Sequence, residues 1–258
     1  MSGESFFRVL DDDCVEPTSH AVGPWDPNAT HGGPPAALAV HELRRVVDDP
    51  AFCLGSLDVD LLGPVPISPL TIERELIRGG KRVQLARMRA RIQEHIAFEA
   101  RGWFVHASPD RAPRHDGSPA LPTPQTGVAD PIMDSFPYGT AIEWRFVDGS
   151  FERPGPATVW ATPRIHLLDT EPITPLEAAA LVADVANGIS SVLPFDDWLF
   201  IPPSLHVDFL REPSSTTVAV SARSYVDPAG IGMTRATLLD AQGVLGAVLQ
   251  SLYVAPRT

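Results

Sequence analysis

Cysteine is scarce: Cys14 and Cys53 are the only two in 258 residues. That excludes a disulfide framework, and a reduced, cytoplasmic setting is expected. Lysine is scarcer still, with Lys81 alone among 20 basic residues; this bias carries no mechanism. No apolar run approaches the roughly 20 residues needed to span a bilayer. The opening Met1-Ser2-Gly3-Glu4-Ser5 has neither the basic nor the apolar region of a secretory signal. Positive charge is outnumbered, giving a formal net charge of -12, which argues against nucleic acid or an anionic membrane as the main partner. The eight histidines form no His-x-His pair, and Cys-x-x-Cys pairs, Gly-x-Ser-x-Gly elbows and phosphate loops are absent, so no metal and no cofactor is expected. What the chain does have is 44% hydrophobic residues, enough for a large core.

The chain also repeats itself. Leu57-Asp58-Val59-Asp60-Leu61-Leu62-Gly63-Pro64 is echoed by Leu205-His206-Val207-Asp208-Phe209-Leu210-Arg211-Glu212-Pro213. An Ala-rich helical stretch precedes each echo, and a long β-hairpin pattern follows, ending at Trp103-Phe104-Val105 and Leu252-Tyr253-Val254. The offset is 148 at Leu57/Leu205 and 149 at Val105/Val254, which one inserted residue would reconcile. By that count Arg101 is the first-copy counterpart of Gln250. An internal duplication follows.

Pro34 to Val47 reads as a helix with proline in its first turn and apolar residues nearly all round. Strands are expected at Phe6–Thr18 (one or two), Leu54–Leu62, Leu70–Arg78, Arg82–Gln93 and Ile96–His106. The fourth of these alternates sharply between apolar and charged positions. Ala107 to Pro137 is rich in proline and reads as an extended linker. In the second half, Thr174-Pro175-Leu176-Glu177 opens a helix with a capping-box pattern that runs to about Asn187. Strands then follow at Ser204–Arg211, Thr216–Val226, Gly232–Asp240 and Val244–Val254. The expected class is α+β, a double hotdog: two tandem copies of a long helix wrapped by an antiparallel sheet. The segments are residues 1–107, a linker at 108–138, and residues 139–258.

Four passages carry a family resemblance. They are Trp25 with Thr30-His31-Gly32-Gly33-Pro34, then Glu143-Trp144-Arg145, then Ala183-Asp184-Val185-Ala186-Asn187-Gly188-Ile189-Ser190, and the ending Leu249-Gln250-Ser251-Leu252-Tyr253-Val254. In this order they resemble the thioesterase-like superfamily related to acyl-CoA thioesterase II, over about Phe6 to Arg257. The resemblance implies an acyl-CoA substrate and hydrolysis without a covalent intermediate, with an Asp, a Gln and a Thr holding the attacking water. Asp184 matches that Asp and Gln250 that Gln. The Thr falls at Pro202 or Pro203; Ser204 is adjacent, but a one-residue shift on a strand points a side chain to the other face unless the backbone bulges. Sheets of this fold stack, so a homo-oligomer is expected.

Asp184 lies among Leu181, Val182, Ala183, Val185 and Ile189. Desolvation there would raise its pKa toward that of a general base; the alternative is a solvated stripe shared with Glu177. Gln250 interrupts an apolar strand, as either a water-orienting amide or an outward-facing residue. His31-Gly32-Gly33 opens the first helix, where free backbone N–H groups could hold an oxyanion; equally it is a flexible lead-in. Two alternatives to the hydrolase stay open. One is a double hotdog that binds acyl-CoA or another apolar ligand without turnover. The other is a hydratase using Asp26 and His31, five residues apart.

Overall fold

The computed structural model describes residues 4–108, 111–113 and 123–257. The first half contains β1 (Ser5–Asp11), β2 (Cys14–Pro17), α1 (Gly33–Val46), β3 (Phe52–Leu61), β4 (Leu70–Arg78), β5 (Val83–Ile92) and β6 (His95–His106). The second contains α2 (Pro137–Thr140), β7 (Ile142–Asp148), β8 (Ala157–Pro163), β9 (His166–Leu168), α3 (Pro175–Ala183), α4 (Ala186–Ile189), β10 (Trp198–Phe209), β11 (Val218–Val226), β12 (Ile231–Asp240) and β13 (Gly243–Pro256). All described strands join one sheet in the order β7-β8-β11-β12-β13-β10-β3-β6-β5-β4-β2-β1-β9. Only β9, at the edge beside β1, pairs parallel.

The duplication is visible in this order. Reading outward from the centre, β3-β6-β5-β4-β2-β1 is matched by β10-β13-β12-β11-β8-β7. The two echoes meet at the seam, where β10 runs antiparallel to β3 with Val207 opposite Leu57, His206 opposite Asp58 and Leu205 opposite Val59. The offset of 148 therefore makes Asp58 and His206 counterparts that face each other, so a local two-fold axis passes between them. Their side chains bond, His206 Nδ1 to Asp58 Oδ1 at 2.7 Å.

Register corrects the offset for the last strands. Leu57 faces Gly102 on β6 and Leu205 faces Gln250 on β13. The counterpart of Gln250 is thus Gly102, at the same offset of 148, and not Arg101. Counting in an inserted residue shifts the comparison to the opposite face of the strand, because side chains alternate. A Cβ on Gly102 would lie 2.8 Å from Leu54 Cδ1 and 3.1 Å from Leu43 Cδ1. Apolar packing has closed in the first half the position that Gln250 holds in the second.

Helix α1 packs one side against β3, β4, β5 and β6 and another against α3. Its residues Gly33 to Val40 are all buried. Their small size and apolar character thus reflect cover from a second helix as well as from the sheet. Between the helices, His41 Nδ1 meets Glu177 Oε1 at 3.0 Å. Burial lowers the His41 pKa, but the Glu177 hydrogen bond and the charges of Glu177, Glu42 and Glu171 outweigh it, and the net shift is upward. A raised histidine pKa contributes stability below its unfolded value of about 6.5, and that contribution is lost as pH rises through the folded pKa. His41→Gln is therefore expected to lower the thermal midpoint by several degrees at pH 6 and by much less at pH 9. Equal losses at both pH values in a melting experiment would refute the pairing.

Two sequence expectations change here. The second helix is not continuous to Asn187: α3 ends at Ala183, a turn covers Asp184 and Val185, and α4 begins at Ala186. The capping box at its start is formed, with Thr174 N–H donating to Glu177 Oε2 at 2.8 Å and Glu177 N–H to Thr174 Oγ1 at 3.3 Å. The second change concerns the proline-rich stretch, of which residues 109–110 and 114–122 lie outside the described residues. Its later part is no extended linker. Residues Pro131–Ser135 form a turn of 3-10 helix and α2 follows; Met133, Phe136 and Tyr138 are buried in the core. Their apolar side chains bind the segment to the second half more strongly than its prolines extend it. No described helix is long and apolar enough to cross a membrane.

Candidate active site

The break after α3 lets the Asp184 carboxyl leave the helix and reach the first turn of α1. In an unbroken helix the Val185 N–H would bond to the Leu181 carbonyl; here it bonds to Val182 O at 3.3 Å. The freed Leu181 carbonyl accepts from the Tyr138 hydroxyl at 2.8 Å.

Asp184 is 4% exposed and Gln250 is fully buried. Gln250 Nε2 donates to Asp184 Oδ1 at 3.0 Å and to the Asp184 carbonyl at 3.2 Å. Its Oε1 accepts from the Asn187 backbone N–H at 3.1 Å. Both amide hydrogens are therefore directed at Asp184, so Gln250 holds this residue in place. It faces the core, which excludes the outward-facing alternative. Glu177, like Asp184, is buried, so the two do not form a solvated stripe.

The glycines before α1 owe their place to crowding. Gly32 has φ -69°, which any residue adopts, but a Cβ there would lie 2.5 Å from Asp184 Oδ2. A Cβ on Gly33 would overlap the Leu181 carbonyl oxygen and lie 2.8 Å from the Tyr138 hydroxyl. Both glycines are required by packing, and neither is a flexible lead-in. The expected backbone oxyanion donors are also occupied. Gly33 N–H donates to His31 Nδ1 at 3.0 Å, Gly32 N–H hydrogen-bonds Asp184, Pro34 and Pro35 have no N–H, and Ala36 N–H bonds to Gly32 O.

His31 stacks face to face on Tyr138, ring centres 3.9 Å apart and 4° from parallel. Because Nδ1 accepts the Gly33 N–H, the ring proton sits on Nε2. Burial lowers His31 to about 3, so it is neutral at ordinary pH. The 3.3 Å approach of Nδ1 to Asp184 Oδ2 is therefore not an ion pair; two acceptors face each other unless the carboxyl carries a proton. Burial raises Asp184 to about 7, against the opposing hydrogen bonds from Gln250 and Gly32. The other buried acids on these helices are paired: Glu42 with Arg74 and Arg45, and Glu177 with His41. Among the described residues Asp184 has no such cation.

Asp184, His31, Gly32 and Asn187 open onto a cleft of about 400 Å³ whose other walls are mainly apolar, including Trp25, Leu61, Val65, Phe200, Pro202 and Pro203. Strand β10 does bulge, between Ile201 and Ser204, and the first half bulges at the equivalent place, between Leu54 and Ser56. The bulge accommodates the two prolines, which could not sit in a regular central strand. It does not rescue Ser204, which pairs with Ser251 one step from the Leu205–Gln250 pair and so points to the other face of the sheet. Where the resemblance implies a threonine hydroxyl, the cleft is lined by Pro202 and Pro203. Asp26 also lines the cleft, but its Oδ1 accepts from the Asn28 N–H, and the acid that His31 meets is Asp184. Asn187 and Tyr138 were not singled out from the sequence; the polar Asn in an apolar helix was a usable signal, whereas nothing local marked Tyr138.

Residues 21–105 match the acyl-CoA thioesterase N-terminal domain family, and residues 106–254 match the acyl-CoA thioesterase C-terminal domain family. The chain belongs to the acyl-CoA thioesterase family. No curated protein matches it. Among solved structures, this family member resembles a conserved protein of unknown function with a hotdog fold from Alicyclobacillus acidocaldarius, at 16% identity and TM-score 0.74 over 97% of this chain and 96% of the other. It also resembles an acyl-CoA thioesterase II from Mycobacterium marinum, at 18% identity and TM-score 0.71 over 99% and 95%. A third is the tesB protein of Mycobacterium avium subs paratuberculosis, at 16% and 0.71 over 97% and 96%. At such identities these likenesses establish the hotdog fold.

Proposed function

We propose that this family member hydrolyses acyl-CoA thioesters with Asp184 as the general base. One observation carries the reading: a buried carboxyl without a cationic partner, raised to about 7, opens onto an apolar cleft. Above that pH the carboxylate takes a proton from water as the oxygen attacks the thioester carbonyl. His31 Nε2–H is the donor left for the developing oxyanion, since the backbone N–H groups around it are engaged. The tetrahedral intermediate collapses with loss of the thiolate, which receives the proton from Asp184. The apolar walls take the acyl chain. Gln250 fixes the carboxyl and Asn187 fixes Gln250.

The pH dependence tests this directly. With a panel of acyl-CoAs and CoA release as the readout, kcat/KM is expected to rise about tenfold per pH unit below 7 and to level off above it, as one group loses its proton. A rate independent of pH between 5.5 and 8 would remove Asp184 from the chemistry. The proline pair in place of a hydroxyl favours a second reading, an acyl-CoA binder; measurable affinity without turnover in the same panel selects it.

A further inference from the structure

We propose that Tyr138 is a positioning residue for the base: its hydroxyl holds open the helix break that aims Asp184, and its ring sets the plane of His31. This inference rests on the reading of Asp184 as the base.

Tyr138 is the largest side chain in the core that is fully buried, and it comes from a segment that otherwise resembles a connection. Its hydroxyl occupies the Leu181 carbonyl that the Val185 N–H would take in a continuous helix. An orphaned buried carbonyl is costly, so without the hydroxyl the helix gains by rewinding through Val185. Rewinding turns Asp184 away from Gln250 and from the first turn of α1. The phenol ring stacks on His31: the two rings lie 4° from parallel with centres 3.9 Å apart. That contact, with the Gly33 N–H on Nδ1, leaves Nε2 as the proton-bearing nitrogen and fixes its direction. Tyr138 is itself anchored by its backbone N–H on the Val22 carbonyl at 3.0 Å and by Trp144 at 6.1 Å between ring centres. One residue therefore connects the segment before β7, the break after α3 and the lead-in to α1. It does not itself line the cleft and acts only through Asp184 and His31.

Tyr138→Phe keeps the ring stack and deletes the hydroxyl. It is expected to lower kcat by about tenfold or more while KM stays within about twofold, because orientation of the base is lost and the cleft is not. The acid limb of the pH profile is expected to move upward, since the Gln250 and Gly32 bonds that favour the charged carboxylate loosen. Unchanged kcat and an unchanged acid limb in a folded Tyr138→Phe protein overturn the proposal, as does a change in KM alone. A second measurement needs no destabilising change. The chain has three tyrosines, and the others, Tyr225 and Tyr253, are 40% and 58% exposed. With 3-fluorotyrosine throughout, the buried fluorine signal is expected to titrate near pH 7 in the wild type and not in Asp184→Asn. A buried signal that stays fixed between pH 6 and 8 overturns the coupling. A wild type without turnover removes the hydrolase reading, and the fluorine titration then decides the coupling by itself.

Discussion

Asp184→Asn is expected to lower kcat by about 10²–10⁴, the usual worth of a general base, and to make the protein more stable above pH 7. Both effects come from the same burial. The carboxyl is shifted from 3.8 to about 7, so the folded state prefers it protonated. For an acid raised in this way, stability falls as pH climbs from about 4 to about 7 and is constant beyond. At roughly 1.4 kcal/mol per pKa unit over about three units, the charged form costs on the order of 4 kcal/mol at pH 8. An asparagine carbonyl can accept from Gln250 Nε2 as the carboxylate does, so the variant keeps that contact without the charge. Denaturant unfolding at pH 8, set beside CoA release, checks the pair of effects. A variant that is inactive but less stable at pH 8 would show that Asp184 is held charged by something other than the groups named here.

Gly32→Ala is the second large effect. The added methyl would lie 2.5 Å from Asp184 Oδ2 and 2.9 Å from its Cγ, and the carboxyl is too well held by Gln250 to yield freely. A displacement of the base by about an ångström costs up to ~10² in rate, and overpacking of this kind costs about 1–3 kcal/mol of stability. Because backbone φ at Gly32 is ordinary, the loss has to be steric. A matching alanine at Gly79, away from the cleft, where a Cβ would make only ordinary contact 3.6 Å from Leu76 Cδ2, is the control. Wild-type turnover in Gly32→Ala would mean that Asp184 does not need its present position.

These residues show how far the sequence reaches. Asp184 and Gln250 stand out because a carboxyl in an alanine-rich helix and an amide in an apolar strand break a pattern. The repeat likewise follows from the echo of Leu57-Asp58-Val59 in Leu205-His206-Val207. The role of Gln250 was not legible, because whether an amide faces water or a carboxyl depends on what the opposite helix presents. Nor was the state of the helix-start donors. Two of those positions are prolines and can be read directly, but the engagement of Gly32 and Gly33 requires Asp184 and His31 to arrive from elsewhere in the chain.

The sequence by itself determined the class of fold, the duplication and the two polar residues inside the second half, since periodicity and pattern breaks are local properties. Only the tertiary structure decided that the offset is 148 across β3 to β6 and their counterparts β10 to β13, that Gly102 and not Arg101 is the counterpart of Gln250, and that Tyr138 closes the site from a proline-rich stretch. Strand parity is set by the pairing partner, and a helix break is held by whatever accepts or donates across it. Both are contacts between residues far apart in the chain, and the nearest neighbours in sequence carry no record of them.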